Sequence, residues 1–153
     1  MRLPAAFIAF AAVLLTSGAH ATVANDAVRA DIVSIDVIAL RTAVQDVVTI
    51  AGTLPVGDHR SPPGNVILAT LTGAMLAKGT MAQDKFAIAR KLGDVGAALS
   101  FSVDTHTLEI RGRCLRKDLP MLIDLMAEQL RIPAFSEQEF EKLKVQLEGA
   151  VRQ

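Results

Sequence analysis

Tryptophan and tyrosine are absent from the 153 residues, and six phenylalanines make up the whole aromatic content. The stacking platforms on which bases and sugars are usually held are therefore missing. Cys114 is the only cysteine, so no internal disulfide is possible. Neither sign of charge dominates, with 16 basic and 16 acidic residues. That balance leaves no electrostatic footprint for nucleic acid or an anionic membrane, and no nucleic-acid partner is expected. Histidine is scarce too: only His20, His59 and His106 occur. No two of them stand at the i, i+4 spacing by which one helix face grips a metal.

Long apolar runs are also rare. The one that stands out, Phe7 to Leu15, follows Arg2 and leads to Ala19-His20-Ala21. A charged start, a short apolar centre and a small-x-small site make residues 1–21 a secretory signal peptide. A membrane anchor needs about 20 apolar residues, and Thr16, Ser17 and His20 interrupt this run first. The expected location is secreted or periplasmic, with no stable membrane span after cleavage. The mature chain then starts near Thr22 and carries 15 basic and 16 acidic residues, with room for one domain.

Residues 22–31 read as a polar lead-in and 32–153 as the folded domain. Val33, Ile35, Val37 and Ala39 alternate with Ser34 and Asp36, a strand pattern. Val47 to Leu54 is β-branched and reads as a second strand. A turn-rich loop, Pro55 to Gly64, precedes a helix from a capping Asn65 to about Lys78, with Leu68, Leu71, Met75 and Leu76 as its stripe. Gly79 stops it. A second helix fits Gln83 to Leu92, with Phe86, Ala89 and Leu92 on one side.

Ala97 to Val103 and Thr107 to Arg113 alternate apolar with polar residues about an Asp104-Thr105-His106 turn, an antiparallel hairpin covered on one face. Asp118 caps a third helix with Pro120 in its first turn and Leu119, Ile123, Met126 and Leu130 toward the core. Pro133 ends it. Ser136 to Glu139 is a capping box, Phe135 and Phe140 are spaced as a hydrophobic staple, and a last helix follows. Strand-strand-helix-helix thus occurs twice. The expected fold is α+β, a two-layer sandwich with helices on one face of a mostly antiparallel sheet.

Pro62-Pro63-Gly64, then Met75-Leu76-Ala77-Lys78-Gly79-Thr80, then Gly96-Ala97, Pro133 and Phe135-Ser136-Glu137-Gln138-Glu139-Phe140 follow one another in this order. In that order and spacing the stretch from Val33 to Gln153 resembles the pitrilysin/insulinase family of zinc metallopeptidases. The resemblance implies a His-x-x-Glu-His helix just before Met75-Leu76. Two histidines there bind zinc, and the glutamate activates the metal-bound water. The aligned positions hold Thr70, Gly73 and Ala74. Hydroxyl, hydrogen and methyl neither ligate zinc nor take a proton at neutral pH, so no catalytic residue, metal ligand or cofactor is expected. The family's distal glutamate ligand lies further downstream, and Glu139, Glu141 and Glu148 are the candidates this chain offers. The capping box accounts for the first, and the other two read as solvated. The family's later Arg/Tyr pair falls past Gln153.

Other chemistry is weaker still. Gly52 to Gly57 lacks a phosphate loop's ending, and Lys78-Gly79-Thr80 closes a helix where such a loop opens one. Ser100 and Ser102 have no His–acid pair to activate them. Cys114 has positive neighbours in Arg113, Arg116 and Lys117, but reads as a buried structural thiol. His59 and His106 read as surface-loop residues. The expected role is therefore a non-catalytic partner of a zinc metallopeptidase, or a truncated piece of one. It would meet peptide substrate only within a complex with a catalytic insulinase-like subunit, or by self-association. Two alternatives remain: an active zinc metallopeptidase subunit with unrecognised ligands, and an unrelated periplasmic binding module.

Overall fold

In the computed structural model residues 27–151 are described, apart from Val66. The expected signal peptide, residues 1–21, and residues 22–26 of the lead-in lie outside the described residues. The chain divides after Ala43 into two units.

The first unit contains a hairpin, β1 (Ala27–Ile32) and β2 (Ile35–Leu40), paired antiparallel. β1 corrects the sequence reading, which took this stretch for a lead-in and began a strand at Val33. Val33 and Ser34 instead form the two-residue turn, at φ 51° and 68°, the left-handed backbone that tight hairpins use. Arg29 and Asp31 hide the β1 pattern, because short apolar residues alternate with full charges there. The register sets Val28 against Ala39, Ala30 against Val37 and Ile32 against Ile35. One face of the hairpin is therefore wholly apolar, and all six residues are exposed.

The second unit is built on a three-stranded antiparallel sheet in the order β3-β5-β4, from β3 (Val47–Leu54), β4 (Ala98–Val103) and β5 (Leu108–Leu115). The repeated strand-strand-helix-helix order is thus no repeat of pairing, since β3 pairs across the chain with β5. Alternation sorts the two faces. Leu108, Ile110 and Cys114 of β5 are buried, while Ser100, Ser102, Arg111 and Arg113 are exposed on the other face.

Of the four helices, α1 (Leu68–Leu76), α2 (Lys85–Gly93) and α3 (Leu119–Arg131) lie against the sheet, and α4 (Glu137–Val151) is tied to α2 through Glu139 and Lys85. Leu76, Leu108 and Ile110 form a buried cluster, with Phe101, Val103, Met126 and Leu130 packed on it. This is the expected α+β arrangement of helices on one side of an antiparallel sheet. None of the helices among the described residues is long and apolar enough to cross a membrane.

Three helix faces differ from expectation. On α3 the deepest residues are Leu122 and Leu125, both 0% exposed, while Ile123 is 40% exposed. Apolar residues lie nearly all round the first turns of α3, so spacing alone does not choose its face. Gln129 is also buried, because its amide donates to the Leu76 carbonyl at 3.3 Å and ties α3 to the end of α1. On α2 the buried residue is Ile88, and Phe86 is 68% exposed. Asp84 caps α2 by accepting from the Ala87 amide at 2.7 Å. On α1 Leu68 is exposed, and Met75 and Leu76 carry the packing.

Candidate functional site

The loop between β3 and α1 positions the helix on which the family's chemistry would sit. Asn65 does not cap α1 with its side chain, contrary to the sequence reading. Ser61 and Asp58 do that work from the loop: Ser61 Oγ accepts from the Ala69 amide at 3.3 Å, and Asp58 Oδ1 from the Thr70 amide at 3.1 Å. Amides of the first turn have no partner within the helix, and a carboxylate there also suits the helix dipole.

Thr70, at the first aligned histidine position, is consumed by this cap, because its Oγ1 donates to Asp58 Oδ2 at 2.5 Å. Gly73, at the glutamate position, faces β4 and is buried. A Cβ built there would overlap Val103 Cγ2 and come within 3.7 Å of Leu108 Cδ1. The absence of a side chain is what lets α1 lie this close to the sheet. Ala74, at the second histidine position, is half-buried and offers a methyl. Among the described residues no cluster of three or more His, Cys, Asp or Glu could hold a metal ion.

The end of α1 that carries the family resemblance has a mechanical task. Gly79 adopts φ 131°, open only to glycine without strain, and bridges to Asp84, while Thr80 bridges to Pro133. Thr80 Oγ1 donates to Glu128 Oε1, and Gln83 Nε2 donates to Glu128 Oε2 at 2.8 Å. The Met81 amide donates to the Ile132 carbonyl at 2.9 Å. Lys78-Gly79-Thr80 thus knots the end of α1 to the end of α3, consistent with its not being a phosphate loop.

The glutamates named from sequence separate clearly. Glu139 is buried at the start of α4, where its carboxylate accepts from Lys85 Nζ at 2.6 Å and Lys142 Nζ at 2.8 Å. This pairing, which reaches α2, replaces the capping-box role expected of it. Hydrogen bonds from Lys142 and then Lys85 hold its pKa down, from 4.5 to about 2. A carboxylate depressed in the folded state stabilises above its unfolded pKa and loses that contribution as pH falls through the folded value. Glu139→Gln is therefore expected to be less stable than the parent above pH 4.5, with the gap closing as pH falls toward about 2. Chemical denaturation at stepped pH measures it, and a gap of constant size would contradict the assignment. Glu141 and Glu148 are exposed, and Glu141 meets only Lys144, at 3.7 Å.

Cys114 is buried as expected; burial first, then the Asp118 carboxylate, pushes its pKa above 9.0. That opposes thiolate chemistry. Phe135 and Phe140, expected to staple α4, are 50% and 37% exposed. With Leu68, Leu71 and Met75 they border a groove of about 320 Å³.

His59 and His106 are both exposed, as expected of surface-loop residues. His59 and His106 lie side by side, ring centroids 5.1 Å apart and planes at 56°. Sequence spacing gave no sign of this, because the contact depends on the β3–α1 loop meeting the β4–β5 turn.

Residues 36–152 match the family described as Insulinase (Peptidase family M16). Comparison with curated proteins returns no match. A similar solved structure is the crystal structure of a peptidase M16 inactive domain from Pseudomonas fluorescens, with a TM-score of 0.60 and 24% identity over 67% of this chain and 25% of that one. At that identity the likeness is one of fold, and this chain spans about a quarter of that protein's length. The family match over most of the chain, on a sheet and helices of the same kind, places it: this chain belongs to the insulinase family, peptidase family M16.

Proposed function

We propose that this chain is a non-catalytic insulinase-type domain with a structural role. It forms part of a peptide-enclosing assembly, paired with a motif-bearing catalytic subunit or with a second copy of itself. The observation that carries this reading is the state of α1. Its packing residues Met75 and Leu76 and its Lys78-Gly79-Thr80 joint are retained and used. Its chemical positions hold Thr70, Gly73 and Ala74. The inactive domain of the similar Pseudomonas fluorescens protein supports the reading. No zinc is expected on α1, and peptide is met only through the complex. With residues 1–21 as a signal peptide, the assembly works in a secreted or periplasmic setting.

Exposed apolar surface supports association. The hairpin presents Val28, Ala30, Ile32, Ile35, Val37 and Ala39 on one face, and a two-stranded hairpin is marginal in water without cover. Contiguous apolar patches of this kind mark interaction sites. Sedimentation analysis over a concentration series is expected to show the purified protein associating with itself, or unfolding without cooperativity when dilute. A monodisperse monomer that unfolds cooperatively at every concentration would contradict the structural-partner reading.

A further inference from the structure

The two histidines outside α1 lie on a surface that the proposed structural role does not use. The backbone around them is locked. The Asp58 amide donates to the Asp104 carbonyl at 3.2 Å, and the His59 amide to the Thr105 carbonyl at 3.0 Å. On the turn, Asp104 Oδ1 accepts from the His106 and Thr107 amides at 2.6 and 2.7 Å. Gly57 makes the approach possible, because a Cβ there would stand 2.5 Å from both the His106 nitrogen and the Thr105 oxygen. Those are backbone atoms, which cannot swing aside.

The ring chemistry is set as well. His59 Nδ1 lies 2.7 Å from the Thr105 carbonyl oxygen. A carbonyl only accepts, so Nδ1 carries a proton, and in the neutral ring it is Nε2 that offers its lone pair. An imidazole whose second nitrogen donates to a backbone carbonyl is the usual state of a metal-ligating histidine. The spacing fits too. Two imidazoles bound to one tetrahedral zinc, with Zn–N about 2.0–2.1 Å, have ring centroids roughly 5 Å apart. The observed separation is 5.1 Å.

We propose that His59 and His106 form a two-histidine site for a divalent transition metal of borderline softness, such as zinc or nickel, distinct from the helix on which the family's chemistry would sit. No third His, Cys, Asp or Glu among the described residues completes the set. The neighbouring carboxylates are engaged, Asp58 with Thr70 and Asp104 with its own turn. The remaining coordination positions belong to water or to a donor from a bound molecule. The site is independent of the reading of α1.

The test uses purified protein freed of metal by chelation and titrated with zinc chloride, then nickel chloride. Binding is followed by calorimetry and by the imidazole Cε1–H resonances. The expected result is one metal per chain, with the His59 and His106 signals moving together. His59→Gln and His106→Gln are each expected to weaken binding by about tenfold or more. Both side chains are exposed, so these variants keep the fold. Gly57→Ala keeps both imidazoles but drives the loop off the turn, and is expected to weaken binding as well. Binding unchanged in both glutamine variants, movement of one signal only, or no uptake of either metal would overturn the proposal.

Discussion

Gly73→Glu, which returns the family's water-activating residue to its aligned position, is expected to cost about 4 kcal/mol or more and to yield no peptidase. Two effects add. The first is volume: the Cβ alone overlaps Val103 Cγ2, and Val is stiff about χ1 and cannot turn away. Overpacking of this kind costs about 1–3 kcal/mol. The second is charge, because the carboxylate would enter the Leu76, Leu108 and Ile110 cluster with Phe101 and Val103 beside it. An unpaired charge there has no compensating partner. Against a small domain's stability of about 5–15 kcal/mol, the variant should unfold at markedly lower denaturant.

Gly73→Ala separates the two effects. Alanine is the better helix former by about 1 kcal/mol, so propensity alone predicts a gain, whereas the close approach to Val103 predicts a loss. Pairing it with Val103→Ala should recover part of that loss, since residues in contact do not behave additively. A Gly73→Ala variant more stable than the parent would show that α1 has room above β4. The account of why this helix holds glycine would then be wrong.

Where local rules agree with packing, the fold is readable from sequence. In β4 and β5 each alternate residue is apolar, and the register repeats the pattern across the pair: Phe101 opposite Ile110, Val103 opposite Leu108. The end of α1 is legible because Gly79 needs φ 131°. The face of α3 was not, because Leu119, Met121, Leu122, Ile123, Leu125 and Met126 leave no polar side to count from. Gln129 is buried by a bond to a carbonyl of another helix, which no period reveals. β1 was obscured by Arg29 and Asp31, exposed charges on an otherwise apolar strand.

The site divides in the same way. Thr70, Gly73 and Ala74 are visible as absences once the flanking residues place the helix, although the reason Gly73 is glycine lies in its distance to Val103. Glu139 looked like part of a local cap, yet its partner Lys85 comes from a helix far away in sequence. The His59–His106 pair rests on backbone bonds between a loop and a turn. Such contacts carry no sequence signature, since any residue donates and accepts through its main chain.

The proposal that matters most is that α1 of this insulinase-family chain, with Thr70, Gly73 and Ala74 at the motif positions, carries no hydrolysis. Family chemistry needs zinc held so that its bound water ionises near pH 7, and a carboxylate to take the proton. Enzymes accelerate such reactions by at least about a millionfold, so even a small active fraction is detectable. The direct measurement is turnover of unstructured, fluorescently quenched peptides by the purified protein, with chelator and then with added zinc. The account predicts no cleavage above buffer in either condition. Cleavage that disappears with chelator and returns with zinc would contradict it.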